Sequence, residues 1–149
     1  MTSQLNVDTI VNKAGSGGTN VKVANTSTYV SDGGAVSQNT VQSLCKVWVN
    51  FNGVGTIAAR DSFNMTSLTD NGTGDYTTTF ANDFSNANYV FLGNSMYENS
   101  RSHVHGQSSN TTYATGSMRG ISAFVSGTNG EDTADDGTIV NRAYFGDLA

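Results

Sequence analysis

Apolar and polar residues alternate along much of the chain with the two-residue period of a β-strand. In the clearest segment, "SLCKVWVNFNG", the odd-numbered residues from Cys45 to Phe51 are apolar and share one face, while Trp48 lies on the opposite face. Asn52 and Gly53 then provide a turn. The pattern predicts a strand whose second face, carrying Trp48, is either buried against another chain or exposed for contact.

Further alternating segments follow, and turn signals rich in Gly, Asn and Asp separate them. They are "GTIAARDSFNMTSL", "YTTTF", "NYVFLGNSMY", "SHVHG", "TTYATGSMRGISAFV" and "GTIVNRAYFG". About seven strands at this spacing predict an all-β fold, an antiparallel and jelly-roll-like β-sandwich of roughly 110 residues.

Two local features refine this prediction. "DNGTGD", Asp70–Asp75, is typical of a hairpin loop, and the turn by itself accounts for both aspartates. A short helix over Ala35–Leu44 competes with the β interpretation because the apolar residues there nearly keep helical spacing.

Composition narrows the classes of function. Only 13% of the residues are charged and the net charge is -5, with Lys and Arg scattered singly, which argues against nucleic-acid binding. Cys45 is the only cysteine, so an internal disulfide is excluded and a buried, inert thiol is expected. The sequence contains neither a cationic start followed by an apolar run nor a stretch of membrane-spanning length, so we expect no signal peptide and no membrane insertion.

The first 41 residues differ in composition from the rest. Residues 1–41 contain few large apolar side chains, too few to offset roughly 1–2 kcal/mol of backbone entropy per residue. Other copies of the chain, or a larger particle surface, must therefore cover this segment. We predict an extended, β-rich N-terminal segment for attachment and trimerisation over residues 1–41, and a β-sandwich domain over residues 42–149.

A family resemblance supports this division. The stretch Lys46–Gly93, with its spacing of "DSFN", "DNGTGDYT" and "ANY", and the ending "FGDLA" resemble a module at the C-terminal ends of tail fibres and other virion structural proteins of tailed bacteriophages. The opening Ser3–Gly18 resembles the start of such proteins. The resemblance implies a virion component of a kind that is often homotrimeric. Since no signal peptide is expected, we expect the protein to be made in the host cytoplasm and to be located in the virion.

Two roles within a virion stay open. One is a tail-fibre-like appendage whose trimeric head attaches to a host surface. The other is a capsid decoration, or cement, protein that stabilises the shell, and the lack of a long fibre shaft in this sequence favours it. The expected partners are further copies of the chain, other virion proteins through the N-terminal segment, and a host-surface glycan or protein. Trp48, Tyr97 and Arg101 are the candidate contact residues because aromatic and Arg side chains supply contact energy in recognition surfaces. The alternative, an ordinary surface or a trimer interface, also explains them.

Chemical sites are sparse in this sequence. The acidic stretch Glu131–Asp136 suggests calcium, but its spacing does not match a calcium-binding loop, so a solvated loop is the expectation. Ser, His and Asp occur without the motif of a nucleophile elbow, and we therefore predict that the protein is not an enzyme.

His103 and His105 form the one candidate metal site. Alternation along a strand places both imidazoles on the same face. The resemblance to phage fibre tips implies that a His-x-His from each of three chains surrounds an iron ion on the threefold axis, which would be the only cofactor. The alternative is a pair of ordinary surface or interface histidines. The metal site needs the trimer, because no single chain could supply six nitrogen ligands.

Overall fold

The computed structural model describes residues 27–30, 37–96, 102–106, 111–126 and 131–149. The chain divides into two compact units, residues 1–41 and residues 42–149. In the first unit, strands β1 (Thr28–Val30) and β2 (Ser37–Asn39) form an antiparallel hairpin. Residues 37–39 are therefore extended, and no helix forms in residues 37–44, the described part of the segment for which a helix competed.

The described part of the second unit forms one antiparallel sheet of ten strands. The strands are β3 (Val47–Asn52), β4 (Ala58–Phe63), β5 (Met65–Gly72), β6 (Asp75–Phe80), β7 (Val90–Met96), β8 (Ser102–Gly106), β9 (Thr112–Ala114), β10 (Ser117–Ser126), β11 (Glu131–Ala134) and β12 (Ile139–Phe145). The main path of the sheet is β4-β3-β12-β7-β8-β10-β6-β5, and β9 and β11 both pair with β10. The predicted all-β, antiparallel fold is confirmed, and the arrangement is consistent with a β-sandwich.

Three segments differ from the sequence prediction. "GTIAARDSFNMTSL" is not one strand but two, because Asn64 adopts a left-handed conformation (φ 55) between β4 and β5. Asn tolerates this conformation, and its side chain secures the bend by donating to the Lys46 carbonyl oxygen at 3.1 Å. "TTYATGSMRGISAFV" likewise divides into β9 and β10. Part of the predicted acidic loop is a strand, β11, because it pairs with the long strand β10.

The sheet curls so that its two halves enclose the core. The two end strands of the sheet, β4 and β5, are joined by a single residue, so the two ends of the sheet lie next to each other. Side chains from β3 and β12 then pack against side chains from β6 and β10. The buried residues form two groups, Val47, Phe80, Phe84, Tyr89, Met118 and Tyr144 in one, and Val49, Phe51, Tyr76 and Val140 in the other.

A buried arginine joins the two halves. Arg142 on β12 is only 2% exposed. Its guanidinium donates to the carbonyl oxygens of Tyr76 (3.0 Å) and Gly120 (2.8 Å) and to the Thr78 hydroxyl (3.1 Å). Tyr76 on β6 and Gly120 on β10 are paired with each other. The Arg142 side chain therefore binds two neighbouring strands of the opposite half of the sheet at once. Burial lowers the pKa of Arg142, and the ring of Phe51, 5.6 Å away, helps to stabilise the cation.

The predicted hairpin at 70–75 is present, and the segment between β11 and β12 braces it. Gly72 (φ 131) and Gly74 (φ 68) supply the positive backbone angles of the turn between β5 and β6. One carboxylate oxygen of Asp136 accepts hydrogen bonds from the Gly74 amide and from the Tyr76 hydroxyl, both at 2.7 Å. Burial and this hydrogen bond raise the pKa of Tyr76, which keeps the phenol protonated.

Asp75 does more than the turn requires, so its interpretation from the sequence is wrong. Asp75 is buried, with 7% of the residue exposed. The Arg119 guanidinium donates to both of its oxygens, with Nε 2.9 Å from Oδ1 and Nη2 2.6 Å from Oδ2. This two-pronged ion pair links β6 to β10, because a planar guanidinium matches the geometry of a carboxylate. Asp75 is a structural residue of the sheet.

Gly74 and Gly55 allow a matched test of the turn. Both have nearly the same φ, 68 and 70, so an added Cβ meets the same backbone penalty of about 1–2 kcal/mol. A Cβ at Gly74 would also collide with the Ser122 carbonyl oxygen and lie 2.8 Å from the Asp135 amide nitrogen, whereas a Cβ at Gly55 meets nothing within 4 Å. We expect Gly74→Ala to cost roughly 1–3 kcal/mol more than Gly55→Ala in urea unfolding. Equal losses would show that the turn is not packed against Ser122 and Asp135.

Arg142 and Arg60 allow a matched test of the buried guanidinium. Arg60 also donates to two backbone carbonyl oxygens, those of Phe51 and Thr138, but its residue is exposed. Lysine retains the positive charge but lacks the planar guanidinium with its five N–H donors. Arg142→Lys therefore leaves buried acceptors without donors. We expect Arg142→Lys to lower the free energy of unfolding by about 2 kcal/mol or more, and Arg60→Lys to lower it by under about 1 kcal/mol, because only the first site is dry. A similar small loss in both variants would contradict the role of Arg142.

Candidate functional site

Strands β4, β3, β12 and β7 present a second face that points away from the core. Since Val47 and Val49 on β3 are buried, Trp48 and Asn50 point outward. The register then places Phe63 beside Trp48, Trp48 beside Ala143, and Ala143 beside Leu92. We call these four residues, which cross the four strands, the apolar row.

A second row runs parallel to the first, two residues further along each strand. It consists of Asp61, Asn50, Asn141 and Asn94, and we call it the amide row. The Asn50 amide nitrogen donates to the Asn141 side-chain oxygen, and the Asn141 amide nitrogen donates to the Asn94 oxygen at 2.9 Å. Each amide carries two N–H groups and a carbonyl oxygen, so the row retains donors and acceptors beyond the bonds within it.

A shallow depression of about 500 Å³ lies over the two rows. Its lining comprises Trp48, Val49, Asn50, Leu92, Gly93, Asn94, Asn141, Arg142 and Ala143. The Arg142 guanidinium is held in the core by hydrogen bonds to Tyr76, Thr78 and Gly120, so its positive charge is not available to a ligand on the outer face. Asp61 carries the only charge within the two rows.

Large apolar side chains surround the depression and are open to solvent. Leu92 and Val90 are 57% and 58% exposed on one side of the amide row, and Met96 is 51% exposed on the other. Phe63, at the far end of the apolar row, is 55% exposed. Single exposed apolar residues are ordinary, but a contiguous set rimmed by polar groups marks a surface that contacts something else. The outer face is therefore the candidate binding surface.

The contact residues proposed from the sequence fall partly on this face. Trp48 lies at its centre, half-buried between Phe63 and Ala143. Tyr97 and Arg101 lie outside the described residues. Leu92, Asn94 and Asn141 were missed, although strand alternation could have placed each on an outward face. Their meeting with Trp48 depends on which strands become neighbours.

The histidine pair lies on β8, between β7 and β10. His103 is opposite Ser95 and Phe124, and His105 is opposite Ser122, so the two residues occupy alternate positions of one strand. Their side chains are outside the described part of the structure. The iron site therefore stays a prediction.

Other groups that could carry chemistry are engaged elsewhere. The Cys45 thiol is half-buried and donates to the Val47 carbonyl oxygen at 3.1 Å. Asp136 holds Gly74 and Tyr76, while the side chains of Glu131 and Asp132 are outside the description. Where side chains are described, no three His, Cys, Asp or Glu residues gather in a way that could hold a metal ion. The described residues also contain no helix that is long and apolar enough to cross a membrane.

Comparison with known proteins adds no relative. Protein-family models, curated proteins and solved structures give no significant match to this chain. The resemblance of Lys46–Gly93 to tail-fibre modules stays a prediction from the sequence. The geometry of the outer face is the main guide to what the protein does.

Proposed function

We propose that the protein is a bacteriophage virion structural protein, a tail-fibre-like appendage whose trimeric β-sandwich head attaches to a host surface. The observation that carries the proposal is the outer face, where an aromatic residue, aliphatic side chains and an ordered row of amides lie together on rigid strands. A braced all-β scaffold that displays such a face is suited to adhesion. The family resemblance supplies the virion context.

The chemistry of the outer face supports a binding role without catalysis. Its polar groups are mainly the amides of Asn50, Asn94 and Asn141, which are neither acids, bases nor nucleophiles at neutral pH. Amides can orient a ligand through hydrogen bonds, and the adjoining apolar row can bury the ligand's carbon surface. These are the functions of a recognition surface.

The first unit supports an attachment role for residues 1–41. In its β1–β2 hairpin, Tyr29 and Val30 are 66% and 52% exposed. A two-stranded hairpin with exposed apolar side chains is marginal alone in water, so contact with another protein would stabilise it. In our proposal this segment contributes to the homotrimer and binds other virion proteins.

The same hairpin favours capsid decoration as a second candidate function. Exposed Tyr29 and Val30 could lie against a shell as readily as against a tail. The two roles differ in copy number, because decoration proteins follow the symmetry of the shell while fibres are few per particle. In the decoration role the second unit would be a cap that stabilises the shell.

We expect the isolated protein to sediment as a trimer, with three times the chain mass of 15.6 kDa. Deleting residues 1–41 should weaken the trimer and leave residues 42–149 folded, because the core groups and Arg142 all belong to the second unit. Sedimentation velocity measures assembly, and circular dichroism of the same sample confirms the fold. A fully folded monomer of the intact chain would contradict the trimer.

Antibody against this chain should label purified particles of the phage that encodes it. Labelling confined to the tail, with few copies per particle in quantitative mass spectrometry, is the result expected for the fibre role. Labelling spread over the shell would support decoration instead. Particles that contain none of the chain would contradict both roles.

A further inference from the structure

We propose that the outer face binds a neutral oligosaccharide, which lies along the apolar row and directs its hydroxyl groups to the amide row. This inference deepens the proposed function, since it names the chemistry that the attachment face recognises. Trp48 is the central contact, Leu92 flanks it, and Asn50, Asn94 and Asn141 supply the hydrogen bonds.

A sugar ring combines two kinds of surface, and the two rows match them. Its C–H groups form apolar patches that stack on aromatic rings, and its hydroxyl groups lie around the rim as donors and acceptors. Two residues along a strand span about 6.6 Å, so the amide row lies at the edge of a ring seated on the apolar row. Amides are suited to hydroxyl groups because each one both donates and accepts.

The charge on the face favours a neutral ligand. Within the two rows, Asp61 is the only ionised side chain, and the Arg142 guanidinium points into the core. The whole chain carries a net charge of -5. A sialylated or phosphorylated sugar would find no cation within the two rows to offset this negative charge.

The dimensions of the face favour a small ligand over a second copy of the chain. The depression of about 500 Å³ is of the size that small ligands occupy. Four strands about 4.8 Å apart and six residues long give a face on the order of 400 Å². A stable protein interface buries about 800 Å² of accessible surface on each partner, which is more than a footprint of this size supplies on its own. Across the strands the row extends for about 14 Å, enough for a short oligosaccharide rather than one ring.

The experiment probes the full-length chain on an array of immobilised oligosaccharides. The probes are gluco-, galacto- and manno-oligosaccharides together with sialylated and phosphorylated counterparts. We expect binding to neutral probes only. Trp48 is the sole tryptophan, so titration with a bound probe in solution should change the intrinsic fluorescence and thereby locate the ligand on this face.

Matched variants test the individual contacts by calorimetry. Trp48→Ala should weaken binding at least tenfold, and Trp48→Phe, which retains a smaller ring, should weaken it less. Leu92→Ser should also weaken binding, whereas Leu44→Ser should not, although both leucines are 57% exposed and only Leu92 lies on the face. Thermal melting of every variant separates loss of binding from loss of fold, and Trp48→Phe remains informative if Trp48→Ala fails to fold.

Several outcomes would overturn the inference. They are binding of no neutral probe, binding of acidic probes alone, equal effects of Leu92→Ser and Leu44→Ser, or dissociation of the trimer by Leu92→Ser, which would make the face a subunit interface. Antibody labelling of particles does not depend on Trp48. If antibody labels the particles but the outer face binds no sugar, the inference is contradicted and the proposed function is not.

Discussion

The guanidinium of Arg142 is the interaction on which the arrangement of the sheet depends. A cation that is 2% exposed must be met by acceptors at fixed positions, and here these are two strand carbonyl oxygens and a hydroxyl on the facing half of the sheet. This requirement sets the distance and the register between β12 and the β6–β10 pair. Aromatic rings from both halves then fill the space around the charge.

The outer face follows from the same constraint. When Arg142 points inward, its neighbours on β12, Asn141 and Ala143, must point outward, because successive residues of a strand face opposite ways. The antiparallel register then brings Asn141 between Asn50 and Asn94, and Ala143 between Trp48 and Leu92. The packing of the core thus determines which side chains meet on the surface, and it holds them without any loop that must first become ordered.

Local sequence patterns predicted the structure correctly where a feature depends on residues only a few positions apart. The alternation around β3 correctly placed Trp48 opposite the buried face, and the "DNGTGD" turn was correctly placed between two strands. The division between β4 and β5 was missed because it depends on the single left-handed residue Asn64, whose bend is secured by Lys46, far back along the chain. Asp75 was taken for a turn residue because its partner Arg119 lies 44 positions away.

The sequence by itself determined the class of the fold, since a period of two, abundant turn residues and the absence of proline all act locally. Within an unbroken strand such as β3, it also determined which face each residue occupies. Only the tertiary structure decided which strands are neighbours, and so which faces combine. Asn50 and Asn141 are 91 positions apart, and Asn141 and Asn94 are 47 apart. No local signal can pair them, because their meeting depends on burying Arg142 and the aromatic core between the two halves of the sheet.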